Sequence, residues 1–217
     1  MNTPATLTER FPHLDLDPVW IAENIERGRE RITKVPPRYT TAAATEPTVQ
    51  AWVAELLDLA VERSHVGCVS VRSGPSLLIL GPTGTGKTFQ AYGAVRALAI
   101  SGAQCPFKFA TAADLYAELR PQSRVDTERL FQRIADARLL VIDDLGAAKG
   151  SEWTEEINYR LINHRYEHEL PTLITSNIPA RELGAAVGER VASRLVEMCR
   201  RVTLRGEDRR RAAAAQS

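Results

Sequence analysis

The eight residues Gly81-Pro82-Thr83-Gly84-Thr85-Gly86-Lys87-Thr88 have the form G-x-x-x-x-G-K-[ST]. Each residue type in that pattern answers a need of phosphate binding. Glycines let the backbone bend until consecutive N–H groups face one anion, and a helix starting at the motif adds the positive end of its dipole. Lys87, expected as a charge on an exposed loop, can reach the β- and γ-phosphates of a nucleotide, and the Thr88 hydroxyl can ligate Mg²⁺. The bland alternative is a glycine-rich strand-to-helix turn.

Leu139-Leu140-Val141-Ile142-Asp143-Asp144 is an apolar run ending in two acids. Ligands of open α/β sheets sit beyond the carboxyl ends of the strands, where a phosphate loop also lies. Asp143 is expected there to hold Mg²⁺, directly or through water, and Asp144 to orient or deprotonate the attacking water. Asp144 is one methylene shorter than glutamate, which predicts slow hydrolysis. Without the phosphate loop, Asp143-Asp144-Leu145-Gly146 would read as a strand-ending turn. Thr172 to Asn177 is a further run with a polar end. Asn177, a neutral donor and acceptor, could position water near a γ-phosphate, although Ser-Asn-Ile-Pro is equally good turn chemistry. Arg190 and Arg194 are four apart and share a helix face with no acid between them. Two guanidiniums so placed suit phosphate recognition, and the alternative is a solvated basic face.

These residues need a scaffold. Strands are expected at Leu77–Leu80, Phe107–Ala110, Leu139–Ile142, Thr172–Thr175 and Arg201–Leu204. Helices are expected from the phosphate loop to about Ile100, at Ala112–Leu119, Asp126–Asp136 and Gly188–Met198, and from a Ser151 cap to about His168. Short apolar strands alternating with helices predict a parallel sheet covered on both faces. Upstream, Asp17-Pro18 reads as an N-cap and first helical residue of a helix over about 19–31, with a thin apolar stripe at Ile21, Ile25 and Ile32. Pro36-Pro37 ends it, and Thr40–Thr48 reads as a linker. From Pro47 to Val61 the residues Val49, Trp52, Val53, Leu56, Leu57 and Ala60 form one helical face.

Composition sets the outer limits. The 217 residues, 44% hydrophobic and 25% charged, suit one substantial globular domain with a short appendage, and exclude wholesale disorder. No apolar run reaches the ~18 residues of a membrane span, and no secretory leader is visible, so a cytoplasmic location is expected. Cys68, Cys105 and Cys199 form no CxxC pair, which argues against a disulfide scaffold and against zinc. His13, His65, His164 and His168 show no metal spacing and are read as structural. The net charge is +1, but residues 181–211 hold nine arginines against five acids, either a solvated tail or an anion-binding surface.

Taken in order, the phosphate loop, the Asp-Asp strand, Trp153-Thr154-Glu155-Glu156 running to Asn163-His164-Arg165-Tyr166, Pro171 to Asn177, and Gly188-Glu189-Arg190 to Ser193-Arg194-Leu195 resemble the DnaC/IstB group of AAA+ ATPases, over about residues 36–210. The resemblance implies an α/β, three-layer αβα P-loop fold with a five-stranded parallel sheet. It implies ATP and Mg²⁺ as ligands, a Walker A loop at 81–88, Walker B acids at Asp143 and Asp144, and sensor 1 at Asn177. It also implies an arginine finger at Arg194, with Arg190 as a second candidate, acting in trans within an ATP-dependent homo-oligomer. Such proteins load a replicative hexameric helicase onto single-stranded DNA, or assist a transposase at its target.

The expected organisation is a helical, partner-binding extension and linker over 1–45, a core over 46–211 and a disordered tail over 212–217. About 20 residues follow the helix of Arg190 and Arg194, too few for a helical lid, so no sensor 2 arginine is assigned; Arg209 and Arg210 remain possible nucleotide contacts. The resemblance further makes Ala112–Asp136, with Lys108, Arg120, Arg124, Arg129 and Arg133, the segment facing DNA. Tyr116 and Phe131 there could stack on bases or belong to the core. Two readings compete with helicase loading: a small-molecule P-loop kinase, and an adaptor that binds ATP and hardly hydrolyses it.

Overall fold

The computed structural model describes residues 5–64, 67–121, 126–147 and 150–206. Two compact units divide the chain, Met1–Gly74 with Phe89–Phe107, and Pro75–Thr88 with Lys108–Ser217.

In the first unit, Thr6 and Glu9 form a capping box on a one-turn helix that sequence periodicity is too short to announce, α1 (Leu7–Arg10). Helix α2 (Pro18–Ile32) starts where expected, with the Asp17 carboxylate accepting from the backbone N–H groups of Val19 and Trp20 at 2.9 and 3.2 Å. Its buried face is Ile21, Asn24 and Gly28, while Ile25 and Ile32 are only half-buried. Gly28 is decisive: a Cβ there would fall 1.7 Å from the carbonyl oxygen of Ala99, so the helix docks through the absence of a side chain. Helix α3 (Pro47–Glu62) buries the six apolar residues expected of it.

The stretch before α3 is no free linker. Ala42 is buried, and the backbone N–H groups of Thr45 and Glu46 donate to the Gln90 side-chain oxygen at 2.9 and 3.1 Å. Gln90 lies on α4 (Lys87–Ala99), where Tyr92 also stacks on Tyr39 with ring centroids 4.5 Å apart. Alternating Thr and Ala hid this strap, because its anchors are backbone groups rather than a periodic apolar face.

The second unit is built on a five-stranded sheet of β1 (Ser76–Leu80), β2 (Phe107–Thr111), β3 (Leu139–Asp143), β4 (Thr172–Ser176) and β5 (Cys199–Thr203), in the order β2-β3-β4-β1-β5. Strand β1 is parallel to β4 and to β5, and β3 is parallel to β4. The three central strands are buried along their whole length, as continuous apolar runs require. Edge strand β5 starts two residues before the expected Arg201, since its exposed Arg200 and Arg201 mask the pairing of Ser76 with Cys199.

Helices α5 (Ala112–Leu119), α6 (Thr127–Ala135), α7 (Glu152–Glu167), α8 (Leu183–Val187) and α9 (Glu189–Met198) complete the unit. Leu115, Phe131, Ile134, Leu161 and Leu195 from these helices join Leu78, Leu140, Ile142 and Ile174 of the sheet in one core. Ser151 caps α7 through a hydrogen bond from the Thr154 N–H. No described helix is long and apolar enough to cross a membrane.

Candidate active site

Strand register assembles the site. Leu80 lies level with Ser176 and Ile142 with Ile174, so the chain leaves β1, β3 and β4 side by side. Gly81 therefore emerges beside Asn177, and Asp143 beside Thr175. Gly81 turns the chain out of β1 with φ +149°, and a Cβ there would lie 2.6 Å from the Leu204 carbonyl oxygen. Only glycine fits that close approach. The loop then closes on itself, with the Thr85 hydroxyl donating to the Pro82 carbonyl at 2.9 Å.

Lys87 is not an exposed loop charge. It is the first residue of α4, is 6% exposed, and donates through Nζ to the carbonyls of Gly81 and Pro82 at 2.8 and 2.9 Å and to the Asn177 side-chain oxygen. A buried ammonium must be hydrogen-bonded, and the folded-back loop supplies the acceptors. The amide of Asn177 donates in turn to the Asp144 carboxylate. Asn177 thus connects the phosphate-loop cation to the second acid, the donor-and-acceptor use that its chemistry allows.

The hydroxyl of Thr88 sits 3.1 Å from both carboxylate oxygens of Asp143. Burial pushes the Asp143 carboxyl above its ordinary range, with Asp144 adding to the effect, while hydrogen bonds from Thr175 and Thr88 pull it down. A hydroxyl facing a carboxylate in a partly buried cleft is a hard-oxygen donor set, and it fits a divalent cation such as Mg²⁺. Asp144 has φ +62°, a conformation that Asp tolerates better than a longer side chain. The short acid that the sequence shows here suits that backbone.

Thr175 belongs to the site although motif reasoning assigned it no role. Its hydroxyl donates to Asp143 at 2.6 Å and accepts from the backbone N–H of Asp144 at 2.9 Å, so one side chain sets both acids. The signal was a hydroxyl in a buried strand, shared there with Thr172 and Ser176.

Arg190 and Arg194 have their contacts on α7 instead. Arg194 lies over the ring of Tyr166 at 4.3 Å, and Arg190 over Tyr159 at 5.6 Å. No acid lies between the two arginines, but Glu197 faces Arg194 at 3.8 Å. In the α5–α6 segment, Phe131 is core, and Tyr116 donates to the Asn158 side chain at 2.8 Å, so both rings are occupied. Lys108 pairs with Glu118 at 2.7 Å. Arg129 and Arg133 line a groove with Glu118, Asp126 and Leu130. His164 pairs with Asp136 at 2.8 Å and stacks on His168. His65, Arg124, Arg209, Arg210 and the 212–217 tail lie outside the described residues.

Solved structures share this fold. The DnaC helicase loader superposes with a TM-score of 0.62 at 24% identity, covering 78% of this chain and 100% of that one. DnaI gives 0.58 at 18%, covering 82% and 89%. The replication initiator DnaA bound to AMPPCP and single-stranded DNA gives 0.59 at 20%, covering 80% and 52%. In sequence, the chain is 27% identical over 162 residues to the insertion sequence IS21 ATP-binding protein of Pseudomonas aeruginosa, 71% of this chain and 59% of that one. It is 27% identical over 123 residues to the replicative helicase loader DnaC of Escherichia coli K12, 55% and 49%. The chain thus spans half to three-fifths of the length of these curated relatives. The family model of IstB-like ATP binding proteins matches residues 53–217, more than half of the chain, and the protein belongs to that family.

Proposed function

We infer that the protein is a Mg²⁺-dependent ATPase of AAA+ type whose nucleotide cycle serves a DNA transaction. The observation that carries this reading is the single constellation at the ends of β1, β3 and β4: Lys87 on Asn177, Asn177 on Asp144, and Thr88 on Asp143. Lys87 exchanges its loop carbonyls for β- and γ-phosphate oxygens. Thr88 and Asp143 would hold the cation, whose charge would offset that building on the transferred phosphoryl group. Asp144 accepts a proton from the attacking water, and Asn177 keeps the carboxylate oriented toward it. Arg194, with Arg190 as second candidate, reaches the γ-phosphate of a neighbouring copy in an ATP-bound homo-oligomer.

The relatives support two partners. Loading a replicative hexameric helicase onto single-stranded DNA follows from the DnaC likeness, and assisting a transposase from the IstB-like family. DNA contact is assigned to backbone phosphates through Arg129 and Arg133, because Phe131 is buried and the half-buried Tyr116 is tied to Asn158 by its hydroxyl. A small-molecule kinase is disfavoured, as nothing in the constellation presents an acceptor-binding element.

Asp144→Asn tests the chemistry. Asparagine keeps the tolerance for positive φ and an acceptor for Asn177, yet cannot take a proton. Turnover should fall at least about a hundredfold while ATP binding persists. Parental turnover would reduce the second acid to a turn residue. The partner is decided by supplying each in turn with ATP: helicase transfer onto a single-stranded circle, or strand transfer by a transposase into target DNA.

A further inference from the structure

Arg194 is not simply a long cation on a helix surface. Its guanidinium lies 4.3 Å from the centroid of the Tyr166 ring, and the Tyr166 hydroxyl donates to one oxygen of Glu197. The other oxygen of Glu197 is 3.8 Å from Arg194, long for an ion pair. The carboxylate thus makes its closer contact with the tyrosine, whose hydroxyl oxygen also accepts from the Arg194 guanidinium. Arg194 is about one-third exposed, so its outward edge is accessible.

We propose that Tyr166 is a positioning residue for Arg194, a ring platform braced by Glu197 that holds the guanidinium over the ring and leaves the N–H groups not bound to the tyrosine for a phosphate oxygen. This rests on the reading of Arg194 as a group supplied to a second copy's γ-phosphate. A planar guanidinium uses its face for stacking and its edge for hydrogen bonds, so the platform need not be surrendered when a phosphate arrives. Arginine otherwise brings the rotamer entropy of a long, flexible side chain to such a contact. The Glu197 hydrogen bond fixes the ring in turn, and it holds the phenol proton, raising the proton affinity of Tyr166. The same arrangement recurs more loosely at Arg190 over Tyr159, seven residues earlier on α7.

The test is steady-state ATP hydrolysis by the full chain at concentrations that allow assembly. Tyr166→Leu removes the ring while keeping bulk in the last turn of α7. Its kcat should fall about two- to fivefold, the worth of one exposed cation–π contact, with KM for ATP near parental. Tyr166→Phe keeps the ring face but loses the Glu197 brace, and its kcat should fall between those of the parent and Tyr166→Leu. Tyr166→Gln is a second ringless variant, so a folding defect in one substitution does not decide the matter. Adding Lys87→Ala subunits, which retain an intact Tyr166–Arg194 pair, should restore part of the lost rate. Arg194→Ala, run alongside, separates two failures. If it is impaired while both ringless variants match the parent, the platform is wrong and the finger stands. If it too hydrolyses at the parental rate, the underlying reading fails. A Tyr166→Phe defect equal to that of Tyr166→Leu overturns the platform as well, because the ring face would then not be what matters.

Discussion

Among the described residues two cations are buried, Arg165 and Lys87, and they are held differently. Arg165 on α7 is 0% exposed and donates to the carbonyls of Ala135, Ala137 and Pro171 and to the Thr172 hydroxyl, all at 2.7–2.8 Å. These acceptors are the chain ends around α6, β3 and β4, so the guanidinium ties the entry side of the sheet together. Lys87 is nearly as buried, yet its partners are two carbonyls of a glycine-rich loop and a side-chain amide. Burial pushes Arg165 down to about 9, with Asp136 partly offsetting it, so it stays charged at neutral pH. The difference is in exchangeability. Acceptors locked in the backbone of a sheet cannot be traded, whereas a loop and an amide at the surface can release an ammonium to a phosphate. A buried charge therefore signals function only when its partners can let go.

The largest effect is expected where nothing can be exchanged. Arg165→Met fills similar volume but takes the donor from the Ala135 and Ala137 carbonyls and leaves Pro171 only the Leu140 N–H at 3.4 Å. It should cost about 3–5 kcal/mol of stability, a fall in Tm of about 10 °C or more. Thermal melts measure this, and ATP affinity well below the midpoint should be unchanged. Lys87→Ala should do the reverse. Losing a charge-assisted contact to phosphate should weaken ATP binding about a hundredfold, while Tm moves by no more than about 3 °C because no sheet carbonyl is orphaned. Equal destabilisation by both substitutions would erase the distinction between them.

Much of this contrast was legible in the sequence, and unevenly so. The phosphate loop was readable because chemistry constrains both residue type and spacing there; Asp143 and Asp144 gained their reading beside it, and Asn177, equally good turn chemistry by itself, through the resemblance. The apolar face of α3 and the three central strands were readable because burial imposes periodicity or continuity. Arg165 was visible only as part of a resemblance. Nothing in His164-Arg165-Tyr166 marks the middle residue as the one pointing inward, since its acceptors lie on two other stretches, 135–137 and 171–172, with no pattern of their own. The burial of Lys87 was missed for a related reason, as loop position suggests exposure until the folded loop supplies acceptors. Gly28 escaped because contact through a missing side chain leaves no apolar signal, and the strap at Thr40–Glu46 because Gln90 holds it by backbone groups.

The smallest effect sharpens the comparison from within the site, at a partner that is neither locked nor freely exchangeable. Thr175 lies in the buried core of β4 like the acceptors of Arg165, but its hydroxyl serves the two acids. Thr175→Val keeps the shape and removes both hydrogen bonds, for a cost of about 1–2 kcal/mol in stability. Its functional sign follows from Asp143. Burial already holds that carboxyl above its ordinary range, and the Thr175 hydroxyl is the strongest influence pulling it back. Without the hydroxyl the carboxylate binds a proton more readily, and a proton competes with the cation for the same oxygens. The Mg²⁺ concentration for half-maximal hydrolysis should therefore rise in Thr175→Val, and rise further as the pH is lowered. Thr175→Ser, which retains the hydroxyl, should keep the parental Mg²⁺ requirement at every pH. A Thr175→Val enzyme whose Mg²⁺ dependence matched the parent at low pH would show that Thr175 supports the strand alone and leaves Asp143 to Thr88.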